Sequence, residues 1–418
     1  MIPGTTPAGH ARPGESQTMR YARREHEFRP SPVRAVFELA LDPRFVSLAG
    51  GNPDTALLPH EEIAEISARL LRDRGAEILQ YGSGAGIAAL PEVIGALMAA
   101  QGAQVSPREL LITTGSQMGI DLATKLLCDP GDLVVAEGPT YVGAMGVFGA
   151  YETELRQIPV DDDGLVPQAL EEALDAAQRE GRRVGYLYTI PHHQNPSGTT
   201  LSQPRREQVV EICARRGVPI VEDDPYALVG FPGTEPLASL YSLNPAGVVH
   251  LGSFSKIFSP GMRVGWMAAP PQVRDRLQIA GESVDIHPSV LAQEIVAAYV
   301  GTPSWSEHLG RLRQAYAGRC QGLLEALARH APEGVRWTVP SGGFFTWVTL
   351  EGVDPGADIL GAAIERELIV VPGRACFAGE PPAACLRLAY SGSSPQALQE
   401  GARRLAQVID DLRQAHPA

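Results

Sequence analysis

Between residues 110 and 269 the chain alternates short, almost continuously apolar runs with stretches of helical period, and this alternation fixes the fold class. The apolar runs are LLITTG (110–115), DLVVAEGP (132–139), VGYLYTIP (184–191), VPIVEDD (218–224), VVHLGS (248–253) and RVGWMAA (263–269). They lack the in–out alternation of a strand with one wet face, so they predict strands buried on both sides. Helical patterns stand between several of them: SQMGIDLATKLL, PQALEEALDAAQREG and QPRREQVVEICARRG, the last with Gly217 as an end signal. The expectation is an α/β fold, a mostly parallel sheet with helices on both faces. Past about residue 300 the pattern changes. A long helical stretch, WSEHLGRLRQAYAGRCQGLLEALARHA, leads to GVRWTVPSGGFFTWVTL and the strand-like CLRLAYS, which predicts a smaller α+β domain.

At 418 residues the chain exceeds what one core of roughly 250–300 residues sustains, so more than one domain is expected. The expected division is an arm over 1–30, a segment over 31–46 that joins the small domain, a large domain over 47–300 and a small domain over 301–418. The arm is rich in Pro, Gly, Thr, Ser and charge, has no hydrophobic period, and is expected to be mobile. SPVRAVFELAL (31–41) predicts a short amphipathic helix with Ser31 as cap and Pro32 in its first turn. A formal net charge of -13 argues against broad nucleic-acid binding. No apolar run reaches the roughly 18 residues of a membrane span, and the first residues lack the apolar block of a secretory signal. The five cysteines include no C-x-x-C pair, so reduced, structural thiols and a cytoplasmic protein of enzyme size are expected.

The 35 basic residues include only two lysines, Lys125 and Lys256. Arginine serves wherever charge alone is needed, but its guanidinium stays protonated and forms no imine under ordinary conditions. Amine chemistry is therefore confined to two side chains or the chain terminus. Lys125 falls in a helical pattern, where a surface amine is the default. Lys256 follows a buried strand in VVHLGSFSKIFSPGMRVGW, and burial turns a lysine into a nucleophilic amine. Ser253, Ser255 and Arg263 in the same stretch offer two hydroxyls and a forked guanidinium for one phosphate group. In LITTGSQMGIDLATKLL a strand runs through Gly115-Ser116-Gln117 into a helix, whose free N–H groups suit the same anion, although such a turn also serves plain packing. VPIVEDDPYALVGF puts Asp223 and Tyr226 at the carboxyl edge of the sheet, where α/β folds bind ligands; the same letters also open ordinary loops. YTIPHHQNPSG ends a strand in Asn195-Pro196, either turn chemistry or an amide aimed at a ring substituent. Its His192-His193 pair has no third ligand at metal-binding spacing, and no metal is expected.

Taken in order, the phosphate-type turn, Asn-Pro-x-Gly, Asp-x-x-Tyr and Ser-x-Ser-Lys with Arg seven residues on resemble the class I/II aminotransferases, pyridoxal 5'-phosphate (PLP) enzymes of the aspartate aminotransferase fold. The resemblance runs from about residue 31 to the carboxyl end. It implies that Lys256 is the residue that holds PLP as an aldimine and then moves the proton, and that Asp223 faces the pyridine nitrogen and keeps it protonated. It implies that Tyr226 and Asn195 bond the ring hydroxyl, and that Ser116, Gln117, Ser253 and Arg263 form the phosphate cup, with Ser255 a weaker member. Tyr141 in EGPTYVG resembles the aromatic that stacks on the ring, and Arg387 in LRLAYS the arginine that grips the substrate carboxylate bidentately. Tyr81 in LQYGSGAG resembles a tyrosine that reaches the phosphate of a neighbouring subunit, which implies a homodimer.

The stretch SPVRAVFELA followed by VSLAGGNPDTALLP is closest to the subgroup acting on 2-aminoadipate, kynurenine, aromatic and branched-chain amino acids. Gly50 and Gly51 let backbone approach the substrate, and Arg34 either meets a distal carboxylate or is a solvated helix residue. The leading expectation is transamination between an L-amino acid and a 2-oxo acid through pyridoxamine phosphate, with a non-protein amino acid of a biosynthetic pathway as a candidate substrate. The alternatives are a β-lyase, an oxidase or a cyclase on the same scaffold, in specialised metabolism. A more remote one is the effector-binding module of a regulator, which carries a winged helix-turn-helix for which about 30 residues are too few. His192-His193 and the long arm depart from the subgroup and bear on the substrate rather than the cofactor.

Overall fold

The computed structural model describes residues 20–28, 39 and 42–415. The helix expected over 31–41, apart from Leu39, and the candidate Arg34 lie outside the described residues, as does the arm before residue 20. The end of the arm is held in place: Arg23–Glu27 form a 3-10 turn, and Arg23 pairs with Glu152 at 2.8 Å.

The strands in chain order are β1 (Val46–Ser47), β2 (Leu110–Thr113), β3 (Leu133–Gly138), β4 (Glu154–Asp161), β5 (Gly164–Leu165), β6 (Val184–Thr189) and β7 (Ile220–Asp223). Then follow β8 (Val248–Ser253), β9 (Gly265–Ala268), β10 (Val335–Trp337), β11 (Phe345–Leu350), β12 (Leu368–Ile369), β13 (Val371–Pro372) and β14 (Ala384–Ala389). An eight-stranded sheet has the order β2-β9-β8-β7-β6-β3-β4-β5. β8, β7, β6 and β3 are parallel neighbours, as the nearly continuous burial of their residues requires, and β4 lies parallel beside β3. β9 runs antiparallel to both β8 and β2, and β5 antiparallel to β4. β4 is absent from the predicted strands because it carries polar and partly exposed residues, ELRQIPVD, near the sheet's edge.

The connecting helices start and stop as their sequences dictate. Pro167–Arg179 and Gln203–Arg216 each open with a proline in the first turn, where a missing N–H costs nothing. Gly217 ends the second in the left-handed conformation at φ 65°. Inside this helix Arg206 is fully buried, and its guanidinium donates to the carbonyls of Pro191, Leu201 and Ala238 at 2.8–2.9 Å.

A second, four-stranded antiparallel sheet has the order β10-β11-β14-β13, and the 27-residue helix Ser304–His330 and the helix Pro395–Ala415 pack against each other. β1 pairs with β12, and the Leu48 carbonyl then accepts from the Ala389 N–H at 2.7 Å. This pairing delivers Gly50 and Gly51 to the end of β14. Among the described residues no helix is long and apolar enough to cross a membrane.

Candidate active site

Strands β2, β3, β6, β7 and β8 all point their carboxyl ends at one edge, and antiparallel β9 begins there. The residues that follow those ends line a cavity of about 270 Å³ together with Gly51, Phe345 and Arg387. Of the sequence candidates, Ser116, Gln117, Tyr141, Asn195, Asp223, Tyr226, Ser253, Ser255, Lys256, Arg263, Gly51 and Arg387 all line it. Tyr81 does not: it is 77% exposed, its ring edge-on to His287 at 5.6 Å. Lys125, the competing lysine, is exposed and donates to Ser283 at 3.3 Å.

Lys256 Nζ donates to the Gly51 carbonyl at 3.1 Å. Burial lowers its pKa to about 8, and the Arg387 and Arg263 guanidiniums push the same way. Asp223 ends β7 and is buried; its Oδ2 accepts from the Tyr188 hydroxyl at 2.7 Å, and its Oδ1 has no protein partner. Burial pushes its carboxyl up to about 6. Tyr226 is buried beside the Asn195 amide, and burial raises its phenol well above the usual range.

The anion-binding corner is built from backbone as much as from side chains. Gly115 sits at φ 80°, and a Cβ there would lie 2.5 Å from Arg263 Nη2, so only glycine admits the guanidinium. No side chain caps the helix that starts at Ser116, which leaves its first N–H groups free. Arg263 has φ 53°, and its guanidinium reaches the Thr114 carbonyl at 2.9 Å and Ser255 Oγ at 3.3 Å. Gln117 also has a side-chain task that the sequence did not indicate. Its side chain donates to the Gly143 carbonyl at 2.9 Å and accepts from the Tyr141 hydroxyl at 3.2 Å, so it orients Tyr141 while its backbone stays at the helix start.

On the opposite wall Arg387 is buried on β14, donating to Asn195 Oδ1 at 2.9 Å and to the Ala49 carbonyl at 2.7 Å, while its Nε has no partner. Its guanidinium lies 4.3 Å from the centre of the Phe345 ring. A Cβ on Gly51 would come within 2.4 Å of that ring, so glycine is required where backbone and aromatic meet.

Sequence reasoning missed Tyr188 and Phe345. Tyr188 pairs with Val221 across β6 and β7, and Asp223 lies two residues on, on the same face. The alternation Tyr186, Tyr188 was the available signal. The two histidines bind no common group. His192 Nε2 accepts from the Leu237 N–H at 3.1 Å, so its proton is on Nδ1, which donates to Asp224 Oδ2 at 2.9 Å. His193 contacts Thr200, and burial lowers its pKa to about 3. Among the described residues Glu222, Asp224 and His250 form the one grouping with metal-ligand character. Glu222 already accepts from Leu240 N–H, Tyr241 N–H and His250 Nδ1, as a buried anion held by donors.

The donor set fits PLP. The unpartnered Asp223 Oδ1 suits a protonated ring nitrogen, the free N–H groups with Ser253 and Arg263 suit a phosphate, and Lys256 is the one amine in the cavity. The family model for aminotransferase class I and II matches residues 43–405. The chain is 36% identical over 384 residues to aromatic-amino-acid aminotransferase 1 of Thermococcus litoralis, covering 91% of this chain and 92% of that one. It is 37% identical over 386 residues to the 2-aminoadipate transaminase of Thermus thermophilus, covering 91% and 94%. Its fold matches a Pyrococcus horikoshii kynurenine aminotransferase crystal structure with PMP at TM-score 0.88, with 36% identity over 94% of this chain and 97% of that one. With geometry, family model and relatives in agreement, the chain belongs to the class I and II aminotransferases and is a PLP-dependent transaminase of amino acids and 2-oxo acids.

Proposed function

We propose that the enzyme takes its amino group from an L-amino acid with an uncharged, aromatic side chain, the kind named for two of its relatives. The observation that carries this is the composition of the cavity. Its cations are Lys256, Arg263 and Arg387, and the wall beside Arg387 is Gly51, Asn52, Ile190 and Phe345. Each cation has a task in our reading, which leaves an uncharged surface for the side chain among the described residues. The names of relatives acting on aromatic amino acids and kynurenine support the same range, whereas the distal carboxylate of 2-aminoadipate, named for another relative, would meet no cation left over in this cavity among the described residues.

In this reading Arg387 receives the substrate carboxylate, with Asn195 and the Ala49 carbonyl fixing its plane. Bound PLP supplies an electrophilic carbonyl for the amine and a ring that takes up the electron pair released when the Cα–H bond breaks. Lys256, with its pKa near neutrality, carries the proton away from Cα and delivers it again. Asp223 would set its negative charge against the ring nitrogen, and Tyr188 fixes the orientation of that carboxylate. Tyr226 and Asn195 would bond the ring hydroxyl, and Tyr141, held by Gln117, would pack on the ring. Ser116, the Gln117 N–H, Ser253, Ser255 and Arg263 would hold the phosphate.

We infer further that two copies share their sites, in the cytoplasm. Tyr81 stands outside its own cavity, exposed against His287, and Leu79 and Ile286, close to these two in the chain, are exposed as well, which supports contact with a second copy. The unpaired thiols support a reducing compartment. The test is spectroscopic: the holoenzyme is mixed with a panel of amino acids without oxo acid, then with 2-oxoglutarate. Bleaching of the yellow absorbance by an aromatic donor and its return with oxo acid are expected. Selective use of an acidic donor such as 2-aminoadipate, or product release without bleaching, would overturn the substrate reading.

A further inference from the structure

Glu137 is the penultimate residue of β3, its carboxylate fully buried and no cation paired with it among the described residues. Its Oε1 accepts from Thr189 Oγ1 at 2.7 Å, and its Oε2 accepts from the Ile190 N–H and from Gln194 Nε2, both at 3.1 Å. All three donors belong to the short segment 189–194. Ile190 lines the cavity, and Asn195, the next residue after Gln194, accepts from Arg387. The Gln194 side chain is fully committed: Nε2 also donates to the Pro139 carbonyl at 2.8 Å, and Oε1 accepts from the Ser197 N–H at 2.8 Å. It therefore spans the turn that presents Asn195 and ties both ends of it to β3. Nothing in the chemistry described above uses Glu137, yet a buried carboxylate is retained only where its acceptors are all employed.

We propose that Glu137 is a positioning residue for substrate recognition: through Thr189, Ile190 and Gln194 it fixes the wall carrying Asn195, and through Asn195 the plane of Arg387. The inference rests on reading Arg387 as the receptor of the substrate carboxylate. An acceptor is what this arrangement requires. The Ile190 N–H can only donate, and the Gln194 amide is already oriented by Ser197, so both need an oxygen at position 137; an amide there meets them with its oxygen and turns its NH2 to Thr189, whereas a methionine leaves all three donors without an acceptor. Burial pushes the Glu137 carboxyl up to about 7, with the Asp223 charge adding to it. Of the three donors only the Thr189 hydroxyl can reverse its direction.

The test compares L-phenylalanine with 2-phenylethylamine, the same molecule without its carboxylate, in single-turnover half-reactions of the PLP-loaded enzyme. The ratio of their rates divided by concentration reads carboxylate recognition alone. In Glu137→Met, which keeps the shape and removes every acceptor, that ratio is expected to fall roughly tenfold or more, the size of a lost hydrogen bond to a charged group, with the amine itself reacting as in the parent enzyme. Thr189→Val, which removes one donor and keeps the shape, is expected to fall in the same direction by less, and it decides the matter if Glu137→Met does not fold. Equal losses for both molecules, or an unchanged ratio, would overturn the inference by showing a merely structural group. Arg387→Gln is the separating control. If it leaves the ratio intact, the reading of Arg387 fails; if it abolishes the ratio while the Glu137 and Thr189 variants keep it, only the inference fails.

Discussion

Gly50 and Gly51 are adjacent, yet a methyl group added to each meets different surroundings. At Gly50 the nearest neighbour of a new Cβ is Asn52 Nδ2 at 3.9 Å, an ordinary contact. At Gly51 the new atom would lie 2.4 Å from Phe345 Cζ and 2.7 Å from Cε1. Carbon–carbon contacts are comfortable near 3.5 Å, so the ring must retreat by about 1 Å. It has little room, because Phe345 is buried and its face is applied to Arg387. Overpacking of this kind costs about 1–3 kcal/mol, and displacing the ring also disturbs a cation–π contact of about 0.5–2 kcal/mol. Gly51→Ala is therefore expected to raise KM for the amino donor by roughly tenfold to a hundredfold, at nearly unchanged retention of PLP. Gly50→Ala is expected to leave KM within about twofold, which removes any general effect of replacing glycine by alanine. Steady-state kinetics with a fixed oxo acid, and the visible absorbance of the bound cofactor, measure both quantities. Adding Phe345→Leu to Gly51→Ala should recover part of the lost affinity by freeing space. Identical KM values for the two alanine variants would refute the steric argument.

Other consequences are checked more simply. Lys256→Ala is expected to abolish the yellow absorbance and turnover, while Lys125→Ala leaves both unchanged; activity in the former would remove the assignment. The lysine must be neutral to react, so capture of PLP by the apoenzyme should quicken with rising pH up to about 8 and level off above it, and a flat profile in a stopped-flow series would contradict this. Tyr188→Phe strips Asp223 of its one partner and should raise the carboxyl pKa further, lowering kcat by roughly tenfold near neutral pH with recovery as the pH rises. Arg206→Met leaves the carbonyls of Leu201 and Ala238 without a donor and Pro191 with only the Leu201 N–H, and should lower unfolding free energy by about 2–5 kcal/mol, read by urea denaturation.

The sequence exposes the residues whose chemistry is rare. Two lysines in a chain of arginines isolate Lys256, and short motifs with fixed order isolate Asp223, Asn195 and Arg263. The structure brings these into one cavity with Arg387 and Gly51, contacts that span more than a hundred residues and that no local pattern encodes. What stayed hidden acts through another residue. Tyr188 and Glu137 read as ordinary strand letters because their function lies in which neighbour the sheet register gives them. Gln117 was legible as a helix start but not as the partner of Tyr141, which comes from the next helix along. β4 escaped for a simpler reason: its residues are half exposed, and its alternation is too irregular to read.

The reversal of β9 has a consequence for how the site comes into being. Because β9 returns alongside β8, the whole connection from Ser253 to Gly265 is a local hairpin, and it alone carries Ser253, Ser255, Lys256 and Arg263. Its closure requires no distant partner, whereas Arg387 and Gly51 arrive only after the chain ends have been threaded together. In our reading the lysine and part of the phosphate cup thus form over a short range of the chain, whereas the arginine for the substrate carboxylate depends on contacts of long range. Redesign of the carboxy-terminal sheet is then expected to alter which amino acid is accepted while the Ser253–Gly265 connection is kept.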